Sequence, residues 1–316
     1  MALIVEVKDL IKHYPGAAEP AVRGISFGVL QGEVFSLLGP NGAGKTTSLS
    51  MLACLLEPSG GEILIDGHSV RSEPLAVKRA IGVVPQEIAL YPTLSARENL
   101  RFWGHMYGLG GSELKRRIEE VLETVGLRDR ANDRVEKYSG GMKRRINIAA
   151  GLLHRPKVVL MDEPTVGIDP QSRRNILEMV KALNAQGMTV LYTTHYMEEA
   201  QELSHRIGII DHGSVIALGT LAELTRLVGQ NDEVELHIAA EETKPELLQA
   251  LAEVEGVMQV AALDHTVRLM TQDGNAALPG LITVANRQGV RVTSVSIKEP
   301  NLEAVFLHLT GRALRD

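Results

Sequence analysis

Gly39-Pro40-Asn41-Gly42-Ala43-Gly44-Lys45-Thr46 fits the pattern G-x-x-x-x-G-K-[ST], and Thr47 follows it. A loop that wraps polyphosphate in its own backbone N–H groups leaves no room for side chains. Glycine supplies both the space and the positive φ that such a loop needs. Lys45 can reach the β- and γ-phosphates, and Thr46 can bind Mg²⁺. The flanks agree with this reading. Glu33 to Leu38 reads as a buried strand, and Thr46 to Leu55 as a helix whose N-terminal dipole favours anions. A nucleotide site between a strand and a helix is expected here.

Further apolar runs lie downstream. Val158 to Met161 meets Asp162-Glu163, Thr189 to Thr194 ends at His195, and Ile207 to Ile210 is closed by Asp211-His212-Gly213. Continuous apolar runs separated by helices predict a parallel sheet covered on both faces. Active groups in such sheets gather at the carboxyl ends of the strands, where the glycine-rich loop, Asp162, Glu163 and His195 all fall. Asp162 can hold Mg²⁺, and Glu163 can polarise an attacking water.

The 316 residues allow a large first domain and a smaller second one, and the net charge of −6 gives no sign of a nucleic-acid partner. The basic triplets Lys115-Arg116-Arg117 and Lys143-Arg144-Arg145 read as solvated helix faces. Cys54 is the single cysteine and reads as a small buried hydrophobe on the helix after the loop, in a chain with no internal disulfide. Glu6, Lys8 and Asp9 interrupt the N-terminal apolar residues, so no signal peptide is expected. No run approaches the ~18 apolar residues of a membrane span. Work at a membrane would therefore need another chain to cross it.

Leu3 to Val7 and Ala21 to Val29 read as antiparallel strands around Pro15-Gly16, and Ile63 to Ile65 as another strand. Residues 91–150 read as a helical insert. Thr93 or Ser95 could cap one helix, and Ser112 could cap a second through Val125. Phe102 and Trp103 in this insert are assigned to core packing. Composition changes near Gly229-Gln230-Asn231-Asp232, so domains are placed at 1–229 and 230–316. The second reads βαββαβ, a ferredoxin-like arrangement, with a closing helix from Asn301 to Leu309. Leu302, Val305, Phe306 and Leu309 form its apolar stripe.

Tyr138-Ser139-Gly140-Gly141-Met142 stands shortly before the Asp162 strand and opens a helix from Lys143 to Leu153. With it, residues 1–220 resemble the ATP-binding cassette (ABC) transporter ATPases. Gly39 to Thr47 matches the Walker A loop, Val158 to Glu163 Walker B, and Ser139-Gly140-Gly141 the family signature. Tyr14 matches the aromatic residue that stacks on adenine, although packing alone would also explain it. Gln86 matches the Q-loop glutamine, Ile168-Asp169 the D-loop and His195 the switch histidine. The usual signature is Leu-Ser-Gly-Gly-Gln. Here Tyr138 and Met142 depart from it, and Met142 cannot make the amide hydrogen bonds of glutamine. Similar signatures occur in the drug-exporter branch. The tail from Glu299 to Gly311 resembles that of antibiotic-resistance exporter ATPases of the anthracycline type, whose membrane subunit is a separate polypeptide.

The resemblance implies an α/β P-loop NTPase core of the ABC type with an antiparallel β subdomain and a helical insert, followed by the small C-terminal α+β domain. It also implies ATP and Mg²⁺ as cofactors, with Thr46, Gln86 and Asp162 at the metal. Lys45 and Glu163 would serve catalysis, with Gln86 and His195. Two copies would sandwich ATP between Gly39 to Thr47 of one and Ser139-Gly140-Gly141 of the other, coupled through Asp169. The chain would sit in the cytoplasm, peripheral on the inner face of the membrane, and drive export through its permease. The alternative is a soluble ABC ATPase of translation or DNA maintenance. Such proteins usually carry two cassettes or a coiled-coil arm, and this chain has neither. The C-terminal domain is assigned to assembly of the ATPase pair, with ligand-dependent regulation as the alternative.

Overall fold

A computed structural model describes residues 2–229, 231–238, 245–263, 266–298 and 301–311. The chain divides into two units, Met1–Leu221 and Ala222–Ala313. In the first, β1 (Leu3–Lys12) and β2 (Val22–Leu30) pair antiparallel, followed by β3 (Val34–Leu38) and α1 (Lys45–Leu52). Next come β4 (Gly60–Ile65), β5 (His68–Ser69), α2 (Pro74–Ala80) and β6 (Ile81–Val84). The insert consists of α3 (Ala96–Met106), α4 (Gly111–Thr124) and α5 (Gly140–Leu152). The chain then runs through β7 (Val158–Asp162), α6 (Pro170–Ala185), β8 (Thr189–Thr194) and α7 (Met197–Leu203). It continues with β9 (Arg206–Asp211) and β10 (Ser214–Gly219), and the short α8 (Leu221–Thr225) lies, but for its first residue, in the second unit.

Alternation along the buried strands explains why the predicted parallel sheet is covered twice. The strand order is β10-β9-β3-β8-β7-β6, parallel except for β10. Val34, Val159, Met161, Val190 and Tyr192 face a core shared with the insert and α6. Phe35, Leu37, Val158, Leu160 and Leu191 face a second core under the antiparallel sheet β2-β1-β4-β5. Phe27 and Phe35 stack at 5.2 Å and join the two sheets. Each fully buried Leu or Phe contributes about 1.5–3 kcal/mol, so both faces of the sheet are pinned. Register is fixed in consequence, because a one-residue slip would exchange the two faces.

Several local expectations change. The helix after the loop stops at Leu52, and Cys54 lies beyond it at φ 54, half-buried against the second core. Ser95, rather than Thr93, caps α3, in a capping box with Glu98. The chain enters α4 through Gly111 at φ 57 and its N-cap is Gly110, so Ser112 already lies inside the helix. Trp103 packs on the core and its Nε1 donates to the Ala89 carbonyl at 3.1 Å. Phe102 is 36% exposed, so core packing does not describe it. Neither basic triplet is a wholly solvated face. Arg117 and Arg144 are buried, because each lies on the apolar side of its helix.

The second unit holds β11 (Asp232–Ile238), α9 (Pro245–Ala252), β12 (Val257–Leu263), β13 (Thr266–Thr271), α10 (Gly274–Arg287), β14 (Val292–Lys298) and α11 (Leu302–Thr310). Its sheet order β12-β13-β11-β14 is antiparallel throughout, as the ferredoxin-like pattern requires. Val234, Leu236, Val267 and Leu269 pack with Leu247, Leu251 and Leu281. Residues alternating with them carry charge: Arg268 lies 3.1 Å from Glu235 and Lys298 lies 3.0 Å from it. On α11, Leu302, Val305 and Phe306 are buried, whereas Leu309 is 37% exposed and leaves the expected stripe. Gln230, Glu299 and Pro300 lie outside the described residues. Among the described residues no helix is long and apolar enough to cross a membrane.

Candidate functional site

The glycine-rich loop turns from β3 into α1 through Gly44, at φ +104. A Cβ there would lie 2.7 Å from the Ala21 carbonyl oxygen, so glycine is required by conformation and by space. Lys45 starts the helix but its side chain turns back over the loop. Its Nζ donates to the carbonyls of Gly39 at 2.7 Å and Pro40 at 2.9 Å, and stands 3.0 Å from Glu163 Oε1. The ammonium is almost wholly buried, so charged and polar partners must balance its lost hydration.

Asp162 ends β7, and its Oδ1 accepts from Thr193 Oγ1 at 2.7 Å and from Thr46 Oγ1 at 3.2 Å. Burial raises the carboxyl above the usual range, partly offset by those two hydroxyls. Glu163 follows at φ 42, a left-handed conformation uncommon outside glycine. Its N–H donates to the Thr193 hydroxyl at 3.0 Å, and its Oε2 lies 3.1 Å from His195 Nδ1. A contiguous line of Lys45, Glu163 and His195 therefore runs beside Asp162 and Thr46. A hydroxyl, a carboxylate and the nearby Gln86 amide make an oxygen donor set. It suits Mg²⁺, which takes few protein ligands and keeps water and phosphate oxygens.

Lys45, Thr46, Gln86 and Glu163 line a cavity of about 230 Å³ together with Ala21, Asn41, Gly42, Gly44 and Thr47, whereas Asp162 and His195 do not line it and reach it through their contacts with Thr46 and Glu163. Gly39, Pro40 and Ala43 belong to the same loop, with Ala43 N–H donating to the Pro40 carbonyl at 3.2 Å. The Tyr14 hydroxyl lies 3.5 Å from Thr47 Oγ1, and its ring is 39% exposed. Ser139, Gly140, Gly141 and Asp169 do not line this cavity. Ser139 caps α5, accepting from Met142 N–H at 3.2 Å, and Asp169 caps α6, accepting from Ser172 N–H at 2.9 Å. That backbone bond lowers the Asp169 pKa. A Cβ on Gly141 would lie 2.1 Å from Ser172 Oγ, so α5 and α6 approach through a glycine.

Other polar groups here escape a reading of motifs. Arg144 donates to the carbonyls of Pro85, at 2.7 Å, and Gln86. Asn147 accepts from Ala89 N–H at 3.1 Å, so α5 fixes the backbone that carries Gln86. Burial pushes the Arg144 pKa down. Glu199 on α7 is buried and accepts from Thr165, Tyr192 and Thr194. Helical phase is the signal that could have found both. Arg144 shares a face with Ile148, and Glu199 lies with Ala200 and Leu203 on the buried side of α7.

Residues 22–166 match the ABC transporter family, and residues 219–310 match the C-terminal domain of DrrA1-3-like ATP-binding proteins. The linearmycin resistance ATP-binding protein LnrL of Bacillus subtilis (strain 168) is 50% identical over 314 residues, covering 99% of this chain and 100% of that protein. The chain belongs to the ATP-binding proteins of ABC transporters. Like other members of this ABC family it is an ATPase subunit with an ATP site. The daunorubicin/doxorubicin resistance ATP-binding protein DrrA of Streptomyces peucetius is 38% identical, covering 99% of this chain and 94% of that protein. A solved ATP-binding subunit of an ABC transporter superposes with TM-score 0.64 at 33% identity, covering 72% of this chain and 94% of its own. A dimeric post-hydrolysis state of the ATP-binding cassette MJ0796, bound to ADP and Pi, gives 0.62 at 31% identity, covering 68% and 98%.

Proposed function

We propose that this ABC ATPase energises a separate membrane permease that exports drug-like small molecules. The direction and cargo class follow the resistance proteins named above. The Nod factor export ATP-binding protein I of Ralstonia nicotianae, 38% identical over 99% of this chain and 95% of that protein, also supports export. The observation that carries the reading is the line of Lys45, Glu163 and His195 beside Asp162 and Thr46, of which Lys45, Thr46 and Glu163 line one glycine-rich cavity.

Backbone N–H groups of Gly39 to Thr47 and the Lys45 ammonium hold and neutralise the phosphates, while Tyr14 stacks on the adenine. Thr46, Asp162 and Gln86 would hold Mg²⁺, which when bound neutralises charge on the β- and γ-phosphate oxygens. Glu163 orients or deprotonates the attacking water, and His195 senses and stabilises the γ-phosphate. This is catalysis by positioning and electrostatic stabilisation. Ser139-Gly140-Gly141 stand away from their own cavity, which supports a role at the nucleotide of a second copy facing head to tail. Asp169 couples the two sites. ATP then joins the pair and hydrolysis releases it.

The permease is received in the groove near Gln86 and the helical insert. The exposed Tyr91 and Phe102 rings, edge to face at 4.9 Å, offer it an aromatic surface. The ATPase domain is assigned to residues 1–229 and an assembly domain to 230–316, with the chain peripheral on the inner face of the membrane. Glu163→Gln tests the reading. Hydrolysis should fall by at least about a hundredfold, and the mutant with MgATP should elute as a stable dimer in light scattering. Unchanged steady-state hydrolysis would remove Glu163 from its role.

A further inference from the structure

Glu199 is 2% exposed, yet it lies outside the cavity and outside every motif read above. Its Oε1 accepts from Thr165 Oγ1 at 2.6 Å. Its Oε2 accepts from Tyr192 Oη and Thr194 Oγ1, both at 2.9 Å. Arg173 Nε stands 3.5 Å away, and the Arg173 guanidinium covers the Tyr196 ring at 4.1 Å. Four groups from three segments thus converge on one carboxylate.

Two of those segments carry the residues assigned to the reaction. Thr165 follows Glu163 by two positions. Val166 N–H donates to the Glu163 carbonyl at 3.2 Å and closes a turn that contains both, and Ile168 N–H donates to the Thr165 carbonyl at 3.2 Å in the next turn. Thr194 immediately precedes His195. Its Oγ1 accepts from Tyr196 N–H at 2.9 Å while it donates to Glu199, so one hydroxyl brackets His195 from both sides. The Glu163–His195 contact of 3.1 Å spans two loops, and Glu199 ties both of them.

We propose that Glu199 is a positioning residue for ATP hydrolysis, whose carboxylate fixes the loops of Glu163 and His195 relative to one another. The proposal deepens the site assignment above and rests on it. Glutamine at this position replaces one acceptor by a donor. Either Thr165 or the Tyr192 and Thr194 pair then loses its acceptor, and an amide N–H₂ turned toward Oε1's place would face Arg173. A misplacement of about 1 Å can slow positioned chemistry about a hundredfold, and a smaller loop displacement slows it correspondingly less. Among the described residues no hydrogen bond or ion pair joins the glycine-rich loop to the Glu199 carboxylate, and Gly39 N–H meets the cluster only at the Thr194 backbone carbonyl, at 3.3 Å, which side-chain substitution keeps, so nucleotide affinity should stay.

The test uses the full chain, with steady-state ATPase rates, ATP affinity and thermal unfolding measured for each variant. Glu199→Gln should lower kcat about tenfold, with KM and ATP affinity within about twofold of wild type. Thr194→Val should follow it, while Thr194→Ser, which keeps the hydroxyl, should restore turnover. In a His195→Ala background, Glu199→Gln should cost clearly less than it does in wild type, because its tie to the His195 loop no longer serves a reacting group and only its hold on the Glu163 loop remains. A kcat within twofold of wild type in both Glu199→Gln and Thr194→Val overturns the proposal, as does a loss that multiplies fully in the His195→Ala background. If His195→Ala itself keeps normal turnover, the site assignment fails and this proposal with it. A crippled His195→Ala beside a normal Glu199→Gln and a normal Thr194→Val overturns the proposal alone.

Discussion

Replacing Arg144 by Met asks how firmly the backbone around Gln86 is tied to α5. The guanidinium donates to Pro85 O at 2.7 Å and to Gln86 O, and the residue is only 3% exposed. Hydrogen bonds from a charged donor contribute about 1.5–3 kcal/mol each. Against that stand the desolvation that lowers the Arg144 pKa and a buried Nε without a hydrogen-bond partner. Removing the donor leaves Pro85 O with only a weak 3.4 Å contact from Asn147 Nδ2. An abandoned buried acceptor costs about 1–3 kcal/mol. The net expectation is a loss of about 2–3 kcal/mol. For a unit of this size that corresponds to a fall of about 4–12 °C in the unfolding midpoint. The single tryptophan makes the assay local, because Trp103 Nε1 donates to Ala89 O in the same loop. Thermal unfolding followed by Trp103 emission should show the early transition for Arg144→Met. Arg144→Lys should rescue less than half, since an ammonium lacks the fork that reaches two carbonyls. A midpoint within about 1 °C of wild type would refute the reasoning.

Other outcomes follow from the same contacts. Gly141→Ala drives a methyl into Ser172 and should destabilise by about 1–3 kcal/mol in denaturant titration. Ser172→Gly should recover most of that, and no recovery would place the strain elsewhere. Lys45→Ala removes a buried ammonium from the phosphate path and should weaken ATP binding about 10–100-fold by calorimetry, and unaltered affinity counts against the loop assignment. His154 stacks on Tyr107 at 3.8 Å, and burial lowers its pKa below the usual 6.5. Its folded pKa is depressed, so the unfolded chain takes up the proton first. The stability it contributes is present above the unfolded value and is lost as pH falls through that value toward the folded one. Wild type should thus lose more of its unfolding midpoint than His154→Asn between neutral pH and mildly acidic pH. An equal loss in the two proteins would exclude His154 as the source.

Motifs whose backbone needs are strict were legible from residues alone. Gly44 has few substitutes at φ +104 with a carbonyl 2.7 Å from its missing Cβ, and an apolar run such as Val158 to Met161 has only a doubly covered strand to occupy. Polar residues used inside the fold were harder. Arg117 and Arg144 sit in basic triplets, so composition alone suggested solvent, and Glu199 beside Glu198 belongs to no motif that would single it out. Only helical phase separates the buried member of each cluster from its exposed neighbours. The Ser112 cap failed for a different reason, because Gly111 at φ 57 turned the chain into α4 before the serine could act. Phe102 was misplaced because an aromatic beside a packed tryptophan need not share its face.

The most direct test of the central claim is to purify this chain from detergent-solubilised membranes and identify what comes with it. The account predicts a multi-span permease without an ATPase domain of its own, whose presence stimulates hydrolysis by wild type and not by Glu163→Gln. Recovery of ribosomal or DNA-repair components with no membrane protein would contradict it.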